Sequence, residues 1–137
     1  MATAAELSED EDEFHSSLRI YLNALEMLAS SPEEQCRLMG DYNVAWELKE
    51  DVQSGKYLVG RGYLEESEEQ WIKALCGALE GVNAQVLPSG AGREVNLQAM
   101  SLPVWQPARF LAAEVLRQLS RAAKENTRFL SGGTGAA

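Results

Sequence analysis

The sequence predicts an all-α protein, a single-domain bundle of about four amphipathic helices with one longer loop at about residues 85–106. Three observations carry this reading. Apolar residues recur at steps of three and four along most of the chain, no useful length alternates apolar with polar residues, and proline and glycine fall mainly between the periodic stretches. With 137 residues, 45% of them apolar, the chain can close one hydrophobic core and is short for two. Residues 1–137 are therefore one helical domain, with disordered tails expected at 1–8 and 131–137 because those ends hold too little apolar surface to order themselves.

The first helix is expected over about residues 9–29, where Phe14, Leu18, Tyr21, Leu25 and Leu28 share one face. It should stop at Ser31-Pro32, since the residue before a proline disfavours helix while Pro32 suits the first turn of the next one. Ser31 and Glu34 have capping-box spacing. The second helix should run from Pro32 to about Ser54, with Leu38, Tyr42, Ala45, Leu48 and Val52 as its core stripe and Met39 and Trp46 widening it. Gly40 lies inside it as a crossing point or a kink, and Gly55 takes the left-handed position past its end.

Gly60 and Gly62 allow a tight joint that folds Tyr57, Leu58, Tyr63 and Leu64 back on the core. A third helix, about 66–84, carries Trp71, Ile72, Leu75, Leu79 and Val82 inward, and its Glu-rich first turn complements the helix dipole. The longer loop holds at most a turn or short strand around residues 93–98. The last helix starts near Pro107 and runs to about Phe129, with Leu111, Val115, Leu116, Leu119 and Ala122 on one face.

Charge narrows the function. The formal net charge is −9, so nucleic acid and anionic membranes would be repelled and a basic protein partner fits better. Residues 1–14 carry −6, residues 15–86 another −6 and residues 87–137 carry +3. Arg117, Arg121, Lys124 and Arg128 form a basic stripe on the last helix, for which salt bridges to the Glu-rich helices or plain solvation are expected. The N-terminal stretch has no basic segment followed by an apolar run, and no 18 apolar residues run together. A cytoplasmic protein is expected, with Cys36 and Cys76 as buried thiols rather than a disulfide.

The chain offers no catalytic set. His15, the only histidine, sits beside an acidic run and is expected to be a solvated helix residue. The Gly-x-Gly pieces at 60–62 and 90–92 follow no strand and lack the Gly-Lys-Ser/Thr of a phosphate loop, so they are expected to be turns. Neither the Glu-x-x-His pairs of di-iron bundles nor a Cys/His cluster or Asp-rich calcium loop occurs. No cofactor and no metal is expected.

Against this background "GDYNVAWELKEDV", residues 40–52, stands out. It mixes aromatic and acidic residues within three turns, close to Tyr57, Tyr63 and Trp71. Trp46 falls on the flank between core and water, so the segment reads either as half of a core or as an acidic rim with aromatic anchors. The second reading makes Asp41, Asn43, Trp46, Glu47, Glu50, Asp51, Tyr57 and Tyr63 a partner-binding surface: aromatic side chains supply buried area and acids speed association with a basic protein.

In character the chain resembles the small acidic immunity proteins that bacteria make against cationic nuclease toxins, on its net charge, its lack of a catalytic set and the segment "DYNVAWELKED". The resemblance implies a tight complex in which carboxylates occupy a toxin's positively charged cleft, with the basic last helix turned away. Two further readings stand beside it: a secretion chaperone or adaptor that holds a partner segment in an apolar groove, and a small helical enzyme using carboxylates such as Glu47 and Asp51.

Overall fold

The computed structural model describes residues 4–40, 43–88 and 90–132. Within them the chain is all-α, with seven helices rather than about four and no strands. The extra helices come from breaks inside the two long helices expected from the sequence and from a short helix inside the longer loop.

Helix α1 spans Ala4–Ala29, so it starts before the expected position. Phe14, Leu18, Tyr21, Leu25 and Leu28 are all buried, as the stripe requires. The helix packs against the last two helices and against the third, which makes it the spine of the bundle. At its C-terminal end the fully buried Gln35 donates from Nε2 to the carbonyls of Met27, Leu28 and, just past the helix, Ser30.

Helix α2 spans Pro32–Met39, with Pro32 in its first turn and the Ser31 hydroxyl accepting from the Glu34 N–H at 3.2 Å. It stops at Gly40, whose left-handed φ of 86° no longer propagates the helix. Asn43 is also left-handed, at φ 48°, a conformation that asparagine tolerates better than most residues. Helix α3 then spans Val44–Gln53. The single long helix expected over 32–54 is thus two, and the changed register leaves Leu38 exposed instead of in the core. Tyr42, expected on the same stripe, lies outside the described residues.

A 3-10 turn over Ser54–Leu58 follows α3 directly. Gly55 is not left-handed here. Its role is space: a Cβ at this position would lie 2.4 Å from Cε1 of the buried Tyr21 ring. Gly60 and Gly62 do take left-handed conformations, at φ 81° and 92°, and give the tight joint that leads into α4, Glu66–Glu80. Glu65 and Glu68 cap that helix reciprocally.

The longer loop contains α5, Arg93–Met100, in place of a turn or short strand. The buried Asn96 accepts from the Val44 N–H at 2.9 Å and donates to the carbonyls of Gly90 and Gly92, so α5 holds the start of α3. Helix α6 spans Gln106–Gln118 and α7 spans Ser120–Leu130, divided at Leu119. Trp105 is fully buried and donates from Nε1 to the Ala99 carbonyl.

His15 is buried rather than solvated. Its Nδ1 lies 2.7 Å from Oδ1 of Asn126, and its ring stacks on Phe129 with centroids 4.0 Å apart. Both partners come from α7, so no local signal in the sequence announces them. Cys36 is buried and Cys76 is half-buried, with no disulfide between them.

Candidate protein-binding surface

Helix α3 buries Val44, Ala45, Leu48 and Val52. That choice of inner face decides the rest of its surface. Trp46 points away from the core and keeps 47% of its surface exposed. Glu50, one turn on, shares that outer side. Asp51 lines a groove between α3 and α1, and Glu47, one turn before it, is near enough for its charge to act on the Asp51 carboxyl. Lys49 leaves the face by donating from Nζ to the Val82 carbonyl at 2.5 Å.

Glu47, Glu50 and Asp51 have no ion-pair partner among the described residues. Several acids elsewhere do, though not all: Asp10 pairs with Arg61, Glu34 with Arg37, Glu114 with Arg117, and Glu65, Glu68 and Glu125 with Arg121. Partial burial, then the charges of Glu47 and Glu50, push the Asp51 carboxyl above its ordinary value. Among the described residues the acids of α3 are therefore unpaired, whereas two of the four residues of the basic stripe are engaged: Arg121 is clasped by α4 and Arg117 by its own helix.

The groove between α1 and α3 has a volume of about 250 Å³. Ile20, Ala24 and Met27 form one wall, Leu48 and Asp51 the other, and Met39 comes from the end of α2. Ile20 is 58% exposed. The α1 residues of this groove were missed by sequence reasoning. The usable signal was a second apolar stripe on α1, since Ile20, Ala24 and Met27 recur at steps of four and three beside the buried one.

The other expected site residues separate. Asn43 starts α3 but its side chain makes no cap hydrogen bond, and Asp41 lies outside the described residues. Tyr57 is 67% exposed on the turn after α3, with Lys56 Nζ 5.2 Å from its ring centroid. Its immediate company is cationic, unlike that of Trp46. Tyr63 is engaged elsewhere: it packs on Phe14 with ring centroids 4.6 Å apart and donates to Asp10 Oδ2 at 2.8 Å. With Arg61 it ties the start of α1 to the joint before α4, and both hold the Asp10 carboxyl below its ordinary value.

Among the described residues, no three His, Cys, Asp or Glu side chains come together to hold a metal ion, and no helix is long and apolar enough to cross a membrane. The arrangement on α3 offers contact chemistry: a half-exposed indole, three carboxylates and an apolar groove. Burying the open part of Trp46, about 100 Å², would yield about 2–3 kcal/mol before the costs of association. The chain matches no protein-family model, no curated protein and no solved structure.

Proposed function

We propose that the chain is a non-catalytic protein-binding module that docks a basic protein on α3, acting as an immunity-type inhibitor that covers the cationic cleft of a nuclease-type toxin. One observation carries the reading: among the described residues Glu47, Glu50 and Asp51 have no ion-pair partner, and they share their helix with a half-exposed Trp46. Desolvating three carboxylates against another protein is favourable only if that protein brings positive charge. Trp46 supplies the apolar anchor. The resemblance to acidic immunity proteins supplies the partner class, and a cytoplasmic location with reduced cysteines is part of the same proposal.

The test is binding and inhibition together. The double variant Glu47→Lys, Glu50→Lys and the single variant Trp46→Ala should each weaken capture of a basic nuclease-type partner at least a hundredfold and release its activity. Undiminished binding to every basic protein captured from a lysate would remove α3 as the docking face.

The groove between α1 and α3 favours a second reading, an adaptor or secretion chaperone that holds a partner segment. It predicts affinity that changes little between about 0.05 and 0.5 M salt, whereas the acidic inhibitor loses affinity as the screening length shrinks.

A further inference from the structure

We infer that the α1–α3 groove receives one bulky apolar side chain from a basic amphipathic helix, whose Lys or Arg about one turn away meets Asp51 and Glu47. This rests on the reading of α3 as a docking face for a basic protein, and it names the chemistry of the segment that docks. The groove volume of about 250 Å³ exceeds the roughly 150 Å³ cavity known to accept a benzene ring. It therefore has room for a leucine, isoleucine or phenylalanine side chain. Met27 and Met39 line it, and flexible thioethers adapt to side chains of differing shape.

Charge selects the occupant. Asp51 lines the groove itself, and Glu47 and Glu50 lie close enough to raise its carboxyl pKa. The nearest basic residue on α3, Lys49, is turned to the Val82 carbonyl, and Arg19 of α1 lines a different groove beside α7. An acidic or purely apolar segment would leave the carboxylates desolvated and unmatched. A helix satisfies both demands at once, because side chains three and four residues apart emerge side by side, about 5–6 Å apart. A second copy of this chain is a weaker fit: its exposed Phe110 is on α6, between Arg109, which is committed to Gln35 and the Met100 carbonyl, and Arg117, which is paired with Glu114.

The probe is a fluorescein-labelled 14-residue helical peptide with leucine on one face and lysine on the other. Two comparison peptides replace leucine by alanine or lysine by glutamate. Fluorescence anisotropy with the full chain should give the tightest binding for the Leu/Lys peptide, at least tenfold weaker binding for Ala/Lys and none for Leu/Glu. The methyl resonances of Ile20, Met27 and Met39 should shift on binding. Ile20→Glu, at an exposed position that leaves the helical circular-dichroism spectrum unchanged, should weaken the Leu/Lys peptide at least tenfold even though it adds negative charge.

Glu47→Lys, Glu50→Lys separates the two claims. If that variant loses binding while Ile20→Glu does not, docking of a basic protein survives and the groove inference falls. Loss with Ile20→Glu alone keeps an apolar seat but overturns the basic helix together with the proposed function. Equal binding of all three peptides, or self-association abolished by Phe110→Ala, also overturns the inference.

Discussion

The Arg121 guanidinium holds the Glu68 carboxylate through two hydrogen bonds, at 2.5 and 3.2 Å, although the two residues are 53 positions apart and lie on α7 and α4. Glu68 is only 3% exposed and also accepts the Glu65 N–H at 2.8 Å, closing the first turn of α4. Its charge is thus satisfied from two sides. The Glu68 carboxylate and its surroundings hold Arg121 protonated well above the ordinary guanidinium range.

Arg121→Ala should therefore cost about 2–3 kcal/mol, below the range for removing one partner of a fully buried pair because Arg121 itself is partly solvated. Arg117→Ala, which removes an exposed pair within α6, should change stability by no more than about 0.5 kcal/mol. Urea titration of both variants checks the contrast. Equal losses would mean that the basic stripe acts only as general surface charge.

The Tyr21 hydroxyl is buried with no hydrogen-bond partner among the described residues, and the side of its ring fills the space that a Cβ at Gly55 would need. Burial drives its phenol pKa upward, so the group stays neutral. Tyr21→Phe should stabilise the fold by about 0.5–1.5 kcal/mol, since an unpaired buried polar group is removed and the ring is kept. Gly55→Ala should destabilise by about 1–3 kcal/mol through overpacking. Gly77→Ala is the control: its Cβ would meet nothing within 4 Å on the exposed side of α4, and helix propensity predicts a gain of about 0.5–1 kcal/mol. Thermal unfolding of the three variants tests the assignment; a stabilised Gly55→Ala would contradict the packing of Tyr21.

The spine of this fold was legible because large apolar residues at helical spacing have only one way to be buried together. Phe14, Leu18, Tyr21, Leu25 and Leu28 show this on α1, as do Ile72, Leu75 and Leu79 on α4. The break at residues 40–43 was not legible, since the apolar spacing from Leu38 to Val52 continues through it. The left-handed backbone at Gly40 ends one helix and that at Asn43 precedes the next. Polar pairs joined across the bundle escaped for another reason. His15 with Asn126 and Glu68 with Arg121 look like solvated residues until tertiary structure brings them together. At the candidate site, the helical wheel put Trp46 on the flank between core and water and left its exposure open; the burial of Val44, Ala45, Leu48 and Val52 turns it outward. The departure of Tyr63 to Asp10 depended on how the glycine joint folds back over α1.

Asp51 links stability to the candidate site through pH. Its folded carboxyl pKa lies above the ordinary value near 3.8, because of partial burial and then Glu47 and Glu50. The folded state thus binds a proton more readily than the unfolded chain, and stability falls as pH rises through the window between the two values. Above that window the penalty is fully present; below it, both states are protonated and it vanishes. Asp51→Asn should therefore raise stability near pH 7 by about 0.3–0.5 kcal/mol, kept small by solvent screening, or about 1–2 °C in Tm. The advantage should disappear at pH values below the window, where both states are protonated. A cation docked on Asp51 would reverse the shift and release a proton, so affinity for a lysine-bearing helix should fall as pH drops through the same window, and less so for the Asn variant. Melting curves and peptide titrations at both ends of the window test this. A stability gap that persists at low pH, or pH-independent binding by the unsubstituted protein, would show that Asp51 plays neither part.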